Sequence, residues 1–155
     1  MTNTDTTTDT PTGPYVLDRD QGEHVHFLNH LATIKVRPGT RGSLTAVEFV
    51  APRGFGPPLH VHDDEDEVMI VLDGEIAFRS GDDEFIGTTG STVFLPNRVP
   101  HTFQIRSATA RFTTVTATSG PVPRFDRLVT DLGRPAGTAT LPEPEEIDPG
   151  RVAEA

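Results

Sequence analysis

Asp73-Gly74 stands between two short runs of β-forming residues, 67–72 and 75–79, and such a dipeptide is a strong signal for folding them into a hairpin. The same punctuation recurs at Pro38-Gly39, Pro52-Arg53-Gly54, Ser80-Gly81-Asp82 and Thr89-Gly90. It cuts the chain into candidate strands at 25–28, 31–36, 44–50, 59–62, 67–72, 75–79, 84–88, 92–95, 101–105 and 111–118. Many short strands at regular spacing predict an all-β sandwich or barrel rather than an open parallel sheet. One helical stripe comes late, at 123–132. There Phe125, Leu128, Val129 and Leu132 share a face and Gly133 stops the run.

At 155 residues the chain is read as one domain with a core that needs no disulfide staples. Residues 1–14 are Thr/Asp-rich and expected to be disordered. Residues 15–120 are expected to form the β-unit, 121–137 a helix packing on or near it, and 138–155 an extended tail. The tail's end, 148–155, looks like a helix start cut short. The absence of cysteine excludes iron–sulfur clusters, cysteine nucleophiles and disulfide frameworks. A net charge of -10 argues against nucleic acid or an anionic membrane surface as partner. No signal peptide is visible at the start, and apolar runs such as 68–72 are too short to span a bilayer. A soluble cytoplasmic protein is therefore expected. Lys35 is the only lysine, and that skew toward arginine suggests a bacterial source.

Chemistry concentrates between Gly54 and Gly74. His60 and His62 are two apart, so on an extended strand they point the same way. Glu67 is an odd step further on and would face away unless the polar residues 63–66 form a loop that resets the alternation. Glu67 would then open a strand beside Met69 and Val71 as pocket walls. Val68, Ile70 and Leu72 would cover the other face, which their apolarity predicts to be buried by a second layer or a second subunit. His101 can return a third imidazole to the site, with Phe103 and Ile105 following it inward. Residues 111–118 offer two inward sets, Phe112, Thr114 and Thr116 or Thr113, Val115 and Ala117; alternation alone does not choose. Three imidazoles and a carboxylate form a ligand set for one divalent transition metal ion, with His60, His62, Glu67 and His101 as the candidate ligands. Phe49, Met69, Val71, Phe94 and Phe103 are the candidate walls of an apolar substrate pocket.

Other residues are given plainer readings. Asp63 and Asp64 are expected in a solvated loop, and Glu65 or Asp66 replaces Glu67 only if the loop register differs. His24, His26 and His30 are expected as exposed or edge-strand histidines. Lys35 is expected as an edge or interface charge, Arg98 as a surface arginine, and the late helical stripe as packing.

These residues resemble the cupin superfamily. Its first motif, G-x5-H-x-H-x4-E-x6-G, is matched by Gly54, His60, His62, Glu67 and Gly74 without a gap. Its second, G-x5-P-x-G-x2-H-x3-N, is matched by Gly90, Pro96 and His101. Arg98 stands at the motif's glycine and Ile105 at its asparagine. Asn97 is expected to supply the tight backbone conformation the glycine usually allows. The resemblance covers 25–118. Residues 27–28, 33–35 and 57–62 look most like small single-domain quercetin dioxygenase-like cupins.

The resemblance implies a single-domain jelly roll, a double-stranded β-helix barrel, with the metal held inside. The ion would be Fe, Mn, Ni, Co, Cu or Zn, and the protein a homodimer. It further implies a metal-dependent dioxygenase using O2 on an aromatic or enolisable small molecule, with Glu67 as general base once displaced. The alternatives are a non-oxidative metal-dependent isomerase, cyclase, lyase or decarboxylase in natural-product metabolism, and a barrel that binds a small molecule without turnover.

Overall fold

The computed structural model describes residues 13–38, 43–118, 120 and 123–146. The expectations for the first twelve residues, for Gly39 in its turn and for the last residues of the tail lie outside the described residues. The chain runs β1 (Glu23–Phe27), β2 (His30–Val36), β3 (Leu44–Pro52), β4 (Asp66–Asp73), β5 (Glu75–Ser80), β6 (Asp83–Thr88), β7 (Thr92–Leu95), β8 (His101–Ile105), β9 (Thr109–Ala117), α1 (Phe125–Leu132) and β10 (Arg134–Pro135). A seven-stranded sheet, β10-β1-β2-β3-β9-β4-β7, faces a three-stranded sheet, β6-β5-β8. Every pairing is antiparallel. The expected all-β jelly roll is the observed fold, with the helix after the last long strand.

Turn chemistry explains where the chain reverses. Leu28 and Asn29 both hold positive φ, 47° and 65°, which is the backbone a tight β1–β2 hairpin demands. Gly81-Asp82 closes the β5–β6 hairpin with only Gly81 at positive φ, 58°, and Ser80 opposite Asp83. Asp73-Gly74 does not make the expected hairpin. Both edges of β4 are taken, by β9 and β7, so β5 pairs in the other sheet. Gly74, at φ 101°, is instead the corner where the chain changes sheets. A Cβ there would come within 2.6 Å of Ser107 Oγ and 2.8 Å of the Thr109 carbonyl.

Alternation decides what is inside. β9 turns Phe112, Thr114 and Thr116 inward, settling the pair of options left by the sequence. Val47, Phe49, Met69, Val71, Ile76, Phe78 and Ile105 complete the buried layer between the sheets. Burying each of these side chains stabilises the fold by roughly 1.5–3 kcal/mol before entropy is counted. Thr45 and Thr116 share a hydroxyl hydrogen bond at 2.5 Å, which lets two polar residues sit in the core. On the outer face of β4, Val68 and Ile70 are half-buried and Leu72 is 43% exposed, so that face is less covered than their apolarity predicts.

Residues 59–62 do not form the expected strand. Pro57 and Pro58 lack amide donors and cannot extend a ladder, so a single bridge, His60 to His101, remains. Among the described residues no helix is long and apolar enough to cross a membrane.

Candidate metal centre and its cavity

Three parts of the fold meet at one point. The loop between β3 and β4 brings His60 and His62, the large sheet brings Glu67 on β4, and the small sheet brings His101 at the start of β8. His60 and His101 exchange both backbone hydrogen bonds, at 3.0 and 2.8 Å, which fixes the loop against the strand. The loop lies so close to β8 that a Cβ on Gly56 would sit 1.8 Å from the Phe103 carbonyl. Residues 63–65 bend away from strand geometry, and β4 restarts at Asp66 with Glu67 turned inward and 4% exposed.

The structure brings the four sequence-predicted residues together. One donor atom from each of His60, His62, Glu67 and His101 lies within 4.8 Å of the others. His60 Nδ1 donates to the Pro58 carbonyl at 2.9 Å and His101 Nδ1 to the Val99 carbonyl at 3.1 Å. A carbonyl only accepts, so in each ring the proton sits on Nδ1 and Nε2 is left as a lone pair. His101 Nε2 then faces Glu67 Oε2 at 3.2 Å, two acceptors that need a proton or a cation between them. His62 Nε2 is buried 3.3 Å from the same oxygen, close enough for charge to act but without an aligned hydrogen-bond partner. A buried orphaned nitrogen and facing lone pairs fit a divalent transition ion.

Electrostatics points the same way. Burial works to raise the Glu67 pKa, but the His101 and His62 rings set against its carboxylate hold it at about 2. Burial works to lower His62, yet the Glu67 carboxylate beside it, helped by Glu65 and Asp63, raises it overall. Burial, then the neighbouring His101 and His62 imidazoles, lowers His60. The chain has gathered bases around one carboxylate.

The group opens on a cavity of about 230 Å³ walled mainly by rings and aliphatic side chains. Phe49 and Phe103 line it as expected. Met69 and Val71 do not; they share Glu67's inward face but are packed into the core. Phe94 is a correction: it is 58% exposed on the outside of β7, because Val93 and Leu95 take the inward positions. Phe112, from one of the two inward sets the sequence allowed, also lines the cavity, and so do Phe55 and His30, which the sequence reading did not place there. Alternation along β2 carried the signal for His30, since it shares a face with Ala32 and Ile34. His24 and His26 stay outside, bonded to Thr33 Oγ1, the Asp20 carbonyl and the Thr140 carbonyl. The helical stripe is more than packing. Val129 is buried, whereas Phe125, Leu128 and Leu132 form one cavity wall.

The acidic run before Glu67 divides its labour. Glu65 Oε1 accepts from the Arg124 amide at 2.6 Å, capping the start of α1, and Asp66 Oδ1 accepts from Asn97 N and Nδ2. Asn97 does not supply the left-handed turn; Arg98 itself does, at φ 60°. Ile105 in place of the motif asparagine is a core residue whose amide donates to the Phe55 carbonyl at 2.8 Å. Lys35 is no free edge charge: Nζ donates to the Asp18, Arg19 and Gln21 carbonyls.

Residues 46–116 match the family model described as Cupin domain. Quercetin 2,3-dioxygenase of Bacillus subtilis (strain 168) is 28% identical over 145 residues, covering 92% of this chain and 42% of the relative. The chain thus spans less than half the length of that curated relative. KdgF from Halomonas sp. superposes with a TM-score of 0.60 at 17% identity, over 75% of this chain and 99% of the other. FeII HppE superposes with a TM-score of 0.57 at 20% identity, over 70% of this chain and 62% of the other. The fold is a cupin jelly roll. Residues 46–116 are thus similar to the cupin superfamily, and the fold around them is the one its members share.

Proposed function

We propose that this chain is a metal-dependent, quercetin 2,3-dioxygenase-like enzyme acting with O2 on an aromatic or enolisable small molecule. The observation that carries the reading is the meeting of three imidazoles and a carboxylate at the wall of one aromatic cavity. The similarity to a quercetin 2,3-dioxygenase supports the oxidative form of it. His60, His62, Glu67 and His101 would hold the ion. A bound divalent ion, Fe, Mn, Ni, Co, Cu or Zn, supplies Lewis-acid chemistry and, where it is redox-active, a path for electrons.

The remaining work falls to the chain. Phe49, Phe55, Phe103 and Phe112 exclude water and give a flat ring its contact surface. Glu67 is a weak base while the imidazoles hold its carboxylate near pKa 2. Its release from them raises its basicity and lets Oε2 take the proton of an enol or phenol. We take 15–120 as the barrel unit, 121–137 as the helix-bearing segment and 138–155 as a tail. The half-covered outer face with Val68, Ile70 and Phe94 supports a homodimer, and a bacterial cytoplasmic setting belongs to the same proposal.

Metal analysis of the purified protein, paired with oxygen uptake on a panel of flavonols and enols, tests the reading. Bound transition metal and substrate-dependent oxygen consumption are expected. Turnover without oxygen, and with zinc, would replace it by a non-oxidative isomerase, cyclase, lyase or decarboxylase. A ligand recovered unchanged would leave a binding barrel. Protein that takes up none of Fe, Mn, Ni or Co would overturn the metal centre.

A further inference from the structure

His30 sits in the cavity wall, yet the metal group does not use it. It is 3% exposed and packed among phenylalanines, its ring centroid 5.4 Å from Phe27, 4.9 Å from Phe49 and 3.9 Å from Phe55. It lines the same cavity as His60, His62 and Glu67. Its Nδ1 is hydrogen-bonded to the Phe27 carbonyl, at the entry to the Leu28–Asn29 turn. Since that carbonyl only accepts, the proton is on Nδ1 and Nε2 is a bare lone pair. Burial pushes the ring's pKa down to about 3, so it stays neutral. Among the described residues the ring's hydrogen bond is made by Nδ1 alone, and Nε2 is not one of the buried atoms sealed off without a partner. The turn uses only Nδ1. An acceptor left over in an aromatic wall asks for a donor from the ligand.

We propose that His30 Nε2 accepts a hydrogen bond from a hydroxyl on the aromatic ligand of this cavity, making His30 a specificity residue for phenol-type molecules. The inference deepens the reading above, because it takes the same cavity as the ligand site, but it does not depend on the metal. The ligand would span from the imidazole–carboxylate group to this acceptor. A carboxylate in the same place would set lone pair against lone pair, and an ether would leave Nε2 without a donor.

The probes are β-naphthol and its methyl ether, alike in ring and different in the donor. Binding is measured on the protein as purified and after chelation, for the native chain, His30→Phe and His30→Gln. The native chain should bind the naphthol about tenfold tighter than the ether, the worth of one net hydrogen bond. His30→Phe should bring that ratio close to one without weakening the ether, and His30→Gln, which keeps an acceptor, should restore part of it. Nitrogen NMR of the native chain should show the His30 Nε2 signal moving with the naphthol and not with the ether, a readout that holds even if a variant folds poorly. A preference that survives His30→Phe, or an unmoved Nε2 signal, would reduce His30 to a tie for the turn and overturn the proposal. Failure of both probes to bind would also overturn it, while metal uptake measured separately would leave the metal reading standing.

Discussion

Arg98 donates its backbone amide to the His62 carbonyl at 2.7 Å, and it does so from a left-handed backbone at φ 60°. Its guanidinium Nε reaches the Asp63 carbonyl at 3.2 Å. The residue therefore holds the ligand loop from both its backbone and its side chain, at the cost of a conformation that favours glycine. Arg98→Ala keeps the strain and loses the side-chain bond, whereas Arg98→Gly loses the bond and relieves the strain. Urea unfolding should find the glycine variant about 1 kcal/mol more stable than the alanine one. Equal stabilities would mean that the left-handed turn is not strained.

Arg37 bridges Glu23 on β1 at 2.5 Å and Asp126 on α1 at 2.8 Å, and the Asp126 side chain is almost wholly buried. Arg37→Ala strands that carboxylate, while Asp126→Ala leaves Arg37, whose side chain is 24% exposed, still paired with Glu23. The arginine variant should lose about 3 kcal/mol and the aspartate variant clearly less. Thermal melts of the two side by side decide it; the reverse order would contradict the pairing.

His30 should make the fold acid-sensitive. Its pKa falls from 6.5 in the unfolded chain to about 3 in the fold, so below pH 6.5 the unfolded state binds a proton that the folded state refuses. The stability present above pH 6.5 is then lost as pH falls toward 3, with a slope of up to about 1.4 kcal/mol per pH unit. His30→Phe removes this contribution. Denaturant titrations at several pH values should find the variant's stability flatter across that window, and parallel curves would refute the assignment.

Adding a transition ion should stabilise the protein as a ligand does, by about 2.7 kcal/mol at a hundredfold excess over its Kd. A chelator should reverse the shift. His62→Ala removes the orphaned nitrogen and should weaken the response, read as a smaller rise in Tm at the same ion concentration. Full metal occupancy in that variant would strike His62 from the ligand set.

Much of this was legible because the governing rules are local. The bend before β4 and the inward return of Glu67 follow from turn chemistry and strand alternation, whereas His60 and His62 reach the site from a loop rather than the expected strand. The failures were non-local. Asp73-Gly74 has the local signature of a hairpin, but β4's edges were filled by strands distant in sequence. Phe94 lies in an unbroken apolar run, Val93-Phe94-Leu95, where alternation gives no inward choice. The lining role of the helix and of His30 depends on which segments cross the mouth of the cavity, and only the tertiary arrangement decides that.

β9 is hydrogen-bonded on one side to β3 and on the other to β4, so the middle of the large sheet has no continuity until Thr109–Ala117 is in place. On the ribosome, β3 and β4 would emerge well before their shared partner. They would wait with open edges and with Val47, Phe49, Met69 and Val71 uncovered. Such a chain closes its longest loops late and folds slowly, and its time of greatest danger from aggregation falls before β9 has been synthesised.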